Sequence, residues 1–542
     1  MGRFIFGWVI VLMAAAFLNC GGGTAVNGGG GGGGGGDTQT VTDCGSGTPT
    51  AASNQPVWAQ WGANPQHSGD VSVTAQQLVN KAADIVYDPF VDREKAETQG
   101  ILGAADLLAH YQAPITDGND VYLMKKMGTY KSCTPVGSWT TGASCGPNTW
   151  NMMGWCEARY SWTNGSLTQQ WAFKSDWKPE PNGTYNGAPG YSSPGLQNWE
   201  PVFHPALANS FLYVPGAGGT VWKVDKNTGA SVSHVNPFGG VGGFVAANAY
   251  VSGPLATDAS GNIFYNVIQF DDPAKGNVWS IDVANAWLVE IAPDDSSRTV
   301  AYTSLVSAGG SNGSQRPGIN VAPAIAPNGT IFTTSRAHMN ASQSYVISVD
   351  PQTLSANWAV PLSAGGNAAI VDEGSSSPSV APDGSVLYGV LNGTGFGKGH
   401  TVHFDSQGVF LNSYPWGWDE TPAIWAHDGT YSVLMKDSDA GATNFYITQL
   451  DANLNVEWQF LSSAGFEFCV NMVAIDSAGN VFANSEDGNL YEIGQGNSGI
   501  FSTPLAKIFL VRSLGAAYTP LSIGQDGKIY TQNDGHMIIV GD

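Results

Sequence analysis

Charge is scarce in this chain, and basic charge scarcer still. Asp, Glu, Lys and Arg make up 12% of 542 residues, and 43 acids face 21 basic residues, for a formal net charge of −22. Such a surface repels phosphate backbones and anionic headgroups, which excludes nucleic acid as a partner. Long hydrophobic runs are missing too. The apolar run from Phe4 to Leu18 (FIFGWVIVLMAAAFL) stops at 15 residues, short of the ~20 a membrane-spanning helix needs. Cysteine occurs only six times, at 20, 44, 133, 145, 156 and 469, with no CxxC or CxxCH, so zinc-ribbon and haem-attachment chemistry drop out. What is plentiful is glycine, 71 residues, and aromatic side chains, 11%. Helical proteins fill their surfaces with Ala, Glu, Lys, Arg and Leu, whereas turn-rich β-proteins alternate Gly, Asn, Asp, Ser and Pro with short aromatic and β-branched runs.

The N-terminal segment sets the cellular address. Arg3 precedes the apolar run, and Cys20 follows it, succeeded by glycines. Residues 1–20 resemble a bacterial lipoprotein signal. That resemblance implies lipidation of Cys20, attachment to a membrane through the acyl chains and, because Gly21 rather than Asp follows, an outer-membrane position facing the periplasm or the cell surface. Residues 21–56 include nine consecutive glycines, Gly28 to Gly36, and too few apolar side chains to order, so they read as a disordered tether. Three cysteines fall within the 24 residues from 133 to 156. In an oxidising compartment this favours one disulfide, with Cys133 and Cys156 the preferred pair because they flank a hairpin excursion, and Cys145 left over for Cys469. Metal binding by these cysteines is not expected.

From residue 110 onward, within a domain that spans 57–542, one pattern recurs: Pro or a small residue, an apolar stretch, a Gly-centred turn and an alternating strand. Copies include PLATDASGNIFYNV (254–267), PAIAPNGTIFTT (323–334), PSVAPDGSVLYGV (378–390) and PAIWAHDGTYSVL (422–434). Turn glycines at 261, 329, 384, 429, 479 and 527 are 68, 55, 45, 50 and 48 residues apart, the period of a four-stranded propeller blade with variable loops. Eight copies predict an all-β fold, a single eight-bladed β-propeller of four-stranded blades. The last copy ends at Asp542 without an outer strand, so ADIVYDPF (83–90) is expected to supply it and close the ring. Outer-strand segments such as SYVISVDPQTLSANWAV (344–360), together with the opening Trp58-Ala-Gln-Trp-Gly-Ala-Asn-Pro-Gln-His-Ser-Gly69, resemble the quinoprotein-type propeller repeat. An outer-membrane assembly lipoprotein shares that fold. Quinoprotein dehydrogenases hold pyrroloquinoline quinone on a disulfide of adjacent cysteines, with calcium on Glu, Asn and Asp. No adjacent cysteines occur here, and the nearest tryptophan-docking turn, Val224 to Gly229, is followed by no Trp, so no quinone is expected.

Propellers bind ligands where loops enter the innermost strands. Those loops carry His110, Tyr111, Trp199, Glu200, Arg316, Glu373, Trp418, Asp419, Glu420, Glu467 and Tyr518. In a chain so poor in charge, acids at equivalent blade entries invite a shared role. Glu200, Asp419, Glu420 and Glu467 are the candidate acid–base residues, because clustered carboxylates raise one another's pKa or hold a structural divalent cation. The Trp and Tyr rings suit stacking on sugar faces. A Cys- and Trp-rich insertion within blade one, at about 126–200, reads either as a lid or binding rim or as a disulfide-stapled decoration that shields the propeller face. Asp437-Ser438-Asp439 begins a calcium-loop pattern but lacks the later ligands and reads as an Asp-rich turn. The expectation is a monomeric, lipid-anchored extracytoplasmic module of the bacterial envelope that acts in binding or as a scaffold, with an envelope protein or a glycan as its ligand. The competing expectation is a hydrolase or lyase acting on polysaccharide at the acidic, aromatic channel mouth.

Overall fold

Each turn glycine of the repeat does what its position requires. Gly261, Gly329, Gly384, Gly429, Gly479 and Gly527 all have φ between 77° and 87°, a region open to Gly at little cost, and each folds its repeat into an antiparallel hairpin. In the computed structural model the described residues are 38–93, 112–131, 152–177, 202–239, 249–271, 282–306, 314–365, 368–370, 376–392, 399–439, 443–463, 465–468, 470–511 and 520–542. They form eight sheets, the blades of one β-propeller, antiparallel except where Gly499–Phe501 adds in parallel to Val456–Leu461 of blade six. Blade four shows the plan. Ala324–Ile325 is innermost, followed outward by Ile331–Ala337, Asn340–Val349 and Ala356–Pro361. Among the described residues no helix is long and apolar enough to cross a membrane.

Blade eight is completed from the other end of the chain. Its own strands are Ser522–Ile523, Ile529–Asn533 and His536–Val540, and Lys81–Val86 pairs antiparallel with His536–Val540 as the outermost strand. The expected clasp therefore exists, and it covers an edge that would otherwise be free to pair with another chain.

A second tie is more extensive. Residues 56–76 run once around the inside of the ring and touch the blades in chain order. Pro56–Trp58 pairs with Ile115–Asp117 of blade one. Ala59 O accepts from Leu207 N of blade two, and Gln60 bonds both ways with the Thr257 backbone of blade three. Pro65 O, Gln66 O, Ser68 O and Gly69 O then accept in turn from Ile325 N, Val380 N, Ile424 N and Ile475 N of blades four to seven. Finally Gln76 N donates to Gly527 O of blade eight. The inner strands are only two to five residues long, so these bonds satisfy backbone groups that no strand partner reaches.

Tryptophans dock one blade on the next. Trp171 of blade one lies against Gly229 of blade two and donates to Lys226 O at 3.0 Å; Trp358 of blade four lies against Gly408 of blade five and donates to Ser406 O at 3.0 Å. A Cβ on either glycine would meet the indole at 2.6 or 2.8 Å. The turn 224–229 thus has its tryptophan, supplied by the preceding blade and not by the residues that follow it.

Three sequence expectations change in blade one. The disulfide joins Cys44 to Cys156 instead of Cys133 to Cys156. Cys156 lies mid-strand in Met153–Thr163, beside Lys125, where a strap from residues 38–56 crosses the sheet. Lys125 Nζ and Gln169 Nε2 hold Cys44 O at 2.8 and 3.0 Å, so this sulfur, not a distant loop, meets Cys156. The tether accordingly ends before Thr38. Thr38–Val41 pairs with Asp120–Lys131, and residues 50–55 are pinned by Arg159 (to Thr50 O and Ala51 O), Asp120 (from Ser53 N) and Lys226 (to Asn54 Oδ1). Part of the expected insertion is blade: Asp120–Lys131, Met153–Thr163 and Ser166–Lys174 are long strands of blade one, while residues 132–151 and 178–200 lie outside the described residues. Cys20, Cys133, Cys145 and Cys469 lie outside the described residues.

Removing either disulfide sulfur, by Cys44→Ser or Cys156→Ser, is expected to lower stability by about 2–4 kcal/mol in denaturant titration, because the bridge closes a long loop. A pH effect is expected at the ring. Burial, and then the neighbouring Asp476 charge, push the Asp70 carboxyl up to about 7. The folded chain then keeps a proton that the unfolded chain has lost, so this group's contribution to stability falls as pH rises from about 4 to 7. Asp70→Asn should therefore raise the Tm at pH 8 and leave it nearly unchanged at pH 4; an equal shift at both pH values would refute this.

Candidate functional site

The loops that enter the innermost strands of blades six and seven bring three of the four candidate acids together. Asp419 and Glu420 precede Ala423–His427 of blade six, and Glu467 lies on the connection into blade seven. Between them stands Lys436, near the far end of Thr430–Ser438. Its Nζ is 3.4 Å from Asp419 Oδ2 and 3.8 Å from Glu467 Oε1. Asn471 Nδ2 donates to the other Asp419 oxygen at 2.7 Å, and Glu420 Oε2 accepts from the Lys436 backbone N–H at 3.2 Å. Every one of these side chains is buried, from Glu420 and Asn471 at 0% to Glu467 at 7% exposed.

The electrostatics follow from burial. Desolvation holds the Glu420 carboxyl well above the usual carboxylate range, and the adjacent Asp419 and Glu467 charges push the same way, against the opposing pull of Lys436. Burial therefore favours the protonated form of Glu420. Its Oε2 accepts from Lys436 N, and its Oε1 has no hydrogen-bond partner in the protein. Asn471 Oδ1 likewise has none, nor has the indole Nε1 of half-buried Trp418. One carboxyl oxygen, one amide oxygen and one indole N–H therefore remain unmatched on adjoining entry loops. Lys436 takes the place between Asp419 and Glu467 that a divalent cation would fill, and among the described residues no group of three His, Cys, Asp or Glu stands together as metal ligands.

The other candidates separate. Arg316 belongs to blade four, fully buried, with its guanidinium donating to His338 Nδ1 and Pro317 O, both at 2.9 Å. His110, Tyr111, Trp199, Glu200, Glu373 and Tyr518 lie outside the described residues. Asp437 is a structural acceptor for Tyr414 Oη, Thr448 Oγ1 and Gln459 Nε2, and Asp439 accepts from Thr443 and Asn444, as an Asp-rich turn does.

Two functional-looking residues were missed. Lys436 stands seven residues after turn glycine 429, and the same offset from glycines 329, 479 and 527 lands on Arg336, Glu486 and Asp534. That regular charged position was available to a count along the repeat. Glu157 gives no such signal. It is a fully buried acid in Met153–Thr163 whose Oε1 accepts from Gln112 Nε2 at 3.0 Å, and burial lifts its pKa well above the usual range.

No protein-family model and no curated protein matches the chain. Solved structures do. A europium-containing methanol dehydrogenase aligns over 87% of this chain and 89% of its own, with a TM-score of 0.54 at 11% identity. Quinohemoprotein alcohol dehydrogenase from Comamonas testosteroni aligns over 91% and 82%, with a TM-score of 0.52 at 10% identity. BamB from Moraxella catarrhalis aligns over 62% and 80%, with a TM-score of 0.34 at 12% identity, too loose a fit to add to the argument. The chain has the quinoprotein propeller fold. At such identities the likeness extends to the fold and not to the chemistry. The described disulfide joins cysteines 112 positions apart, not adjacent ones.

Lys436→Met should leave Asp419 and Glu467 buried without their cation and cost about 3–5 kcal/mol in urea unfolding. Glu420→Gln should act oppositely. A raised carboxyl pKa makes the folded state lose stability as pH rises above the unfolded value, so the glutamine variant should show a flatter decline of Tm between pH 5 and 8.

Proposed function

We propose that the protein is a lipid-anchored, extracytoplasmic propeller that binds a glycan of the bacterial envelope at the channel mouth of blades six and seven. Export is supported by the lipoprotein-like signal through Cys20 and by the Cys44–Cys156 disulfide, a bond that persists in oxidising compartments. The site reading rests on one observation: the unmatched atoms on these loops combine a donor, Trp418 Nε1–H, with the oxygens Glu420 Oε1 and Asn471 Oδ1. Hydroxyl groups, which both donate and accept, complement that mixture, and a half-buried indole offers a face for a sugar ring. Binding is favoured over catalysis because Asp419, which would have to act as base or nucleophile, is tied at both oxygens, to Lys436 and Asn471.

A second reading keeps one specific support. A neutral Glu420 beside Asp419 resembles the acid and base division of labour in glycoside hydrolases. One experiment separates the two. Soluble β-glucan, xylan and chitin oligosaccharides are added to the purified protein, with Tm and released reducing ends measured together. Binding predicts a saturable rise in Tm without new reducing ends, abolished by Asn471→Ala or Trp418→Ala. Reducing ends that vanish in Glu420→Gln would establish the enzyme, and no response to any glycan would remove both readings. In cells, Cys20→Ala should move the protein from the membrane to the soluble envelope fraction; an unchanged distribution would refute the anchor.

A further inference from the structure

On the face of the propeller opposite the entry loops, blade five carries a serine, a histidine and an asparagine in one hydrogen-bonded line. Ser385 ends the turn between its two inner strands, Ser379–Val380 and Val386–Asn392, while His403 lies on the third strand, His400–Phe404, and Asn412 on the fourth, Phe410–Tyr414. Ser385 Oγ is 2.8 Å from His403 Nε2, and His403 Nδ1 is 3.1 Å from Asn412 Oδ1. The hydrogen positions follow. Asn412 Nδ2 donates to Asn453 O at 2.7 Å, which turns its Oδ1 towards the imidazole, so Nδ1 carries the ring hydrogen and Nε2 presents a lone pair to Ser385. Burial lowers the His403 pKa below its ordinary value, against the pull of Asn412, Asp383 and Asp405, so the ring is an unprotonated base at neutral pH.

Asp383 completes the arrangement. It stands exposed on the turn, where a groove of about 660 Å³ towards blade four meets one of about 710 Å³ towards blade six. Its Oδ1 accepts from Ser385 N at 2.9 Å and from Ser385 Oγ at 2.6 Å, and its Oδ2 accepts from Tyr431 Oη of blade six at 3.3 Å. Tyr431 lines the larger groove, and its Oη is 3.4 Å from Ser385 Oγ. The bonds from serine to aspartate are those of an ordinary turn, repeated at Asp294 and Ser296. Blades five and six add an imidazole behind the hydroxyl and a phenol in front of the carboxylate. The one hydroxyl hydrogen of Ser385 is thus shared between a carboxylate oxygen and an imidazole nitrogen, and its oxygen lies beside a carboxyl group whose two oxygens are held by an N–H and a phenolic O–H.

We propose that Ser385 is the nucleophile of an esterase site on this face, with His403 as general base, Asn412 orienting the imidazole, and Ser385 N–H and Tyr431 O–H as oxyanion donors. Asp383 fills that site in the resting protein. Its methylene and carboxylate have the size and shape of an acetyl group, so the substrate class is an acetyl ester, which takes the place of the carboxylate when the exposed turn swings outward. The Ser385 hydroxyl proton passes to His403 Nε2 as Oγ bonds to the ester carbonyl carbon; the ester C–O bond then breaks, and the alcohol leaves with that proton. Water next gives a proton to His403 and its oxygen bonds to the acyl carbon. The bond to Ser385 Oγ breaks, acetic acid leaves, and His403 returns the proton to the serine.

The test incubates the intact protein with a fluorophosphonate probe and, separately, with p-nitrophenyl acetate. Wild-type protein is expected to take up one phosphonyl group per chain, slowly, at Ser385 as mapped by peptide mass spectrometry. Asp383→Ala vacates the oxyanion site and should speed both labelling and p-nitrophenol release about tenfold, and Ser385→Ala in that background should abolish both. There Tyr431→Phe should lower kcat about tenfold with KM little changed, and His403→Gln should slow labelling about 100-fold. If Asp383→Ala does not fold, Asp383→Asn, which keeps the turn bonds and removes the charge, takes its place. Ser385 left unmodified in both the wild type and the Asp383 variant, or ester hydrolysis that survives Ser385→Ala, would overturn the proposal and leave the cluster as a hydrogen-bonded turn.

Discussion

Everything else in the structure hangs on backbone hydrogen bonds between residues 56–76 and the innermost strands of the eight blades. Those strands are as short as Ala474–Ile475 and Ser522–Ile523, too short to hold a position by their own ladders. One pass of the chain around the inside gives each blade an anchor, from Ala59 O on blade two to Gln76 on blade eight. A buried backbone group left without a partner costs about 1–3 kcal/mol, so this single segment suppresses a penalty that recurs at every blade. It also buries Trp61 and His67 inside the ring.

The scarcity of charge has a structural counterpart. Much of the little basic charge present is buried and paired: Lys126 with Asp88, Arg159 with Asp120, Lys226 with Asp117, Lys436 with Asp419. Three of the four fasten N-terminal segments to blades one and two, since Asp88 follows the clasp strand and Arg159 and Lys226 hold the strap at residues 50–55. The fourth fastens the entry loops of blades six and seven. Buried pairs of this kind contribute little net stability compared with an apolar core, but breaking one leaves a charge stranded. They therefore select one arrangement of loops over others of similar compactness, which is what a preorganised binding surface needs.

Clustered acids alone suggested catalysis or a cation. Their surroundings set the balance of charge: Lys436 stands between Asp419 and Glu467, and burial favours the protonated form of Glu420. The same carboxylates in a solvated funnel would be ionised, mutually repelling and open to calcium.

The propeller was legible in the chain because its signals are local. Successive turn glycines lie no more than 68 residues apart, and they, the alternating strands and a last repeat lacking its outer strand each state a requirement of backbone geometry. The convergence of Asp419, Glu420 and Glu467 was partly legible for the same reason, since equivalent blade entries must face one axis. What the chain concealed depends on distant segments meeting. Cys44 reaches Cys156 because the strap at 38–56 is pulled onto blade one by buried charges far along the sequence, and Trp171 finds Gly229 only once two blades stand side by side. Periodicity by itself determined how many blades there are; only tertiary structure decided which polar atoms, once buried, are left without a partner, because desolvation is a property of the surroundings and not of the residue.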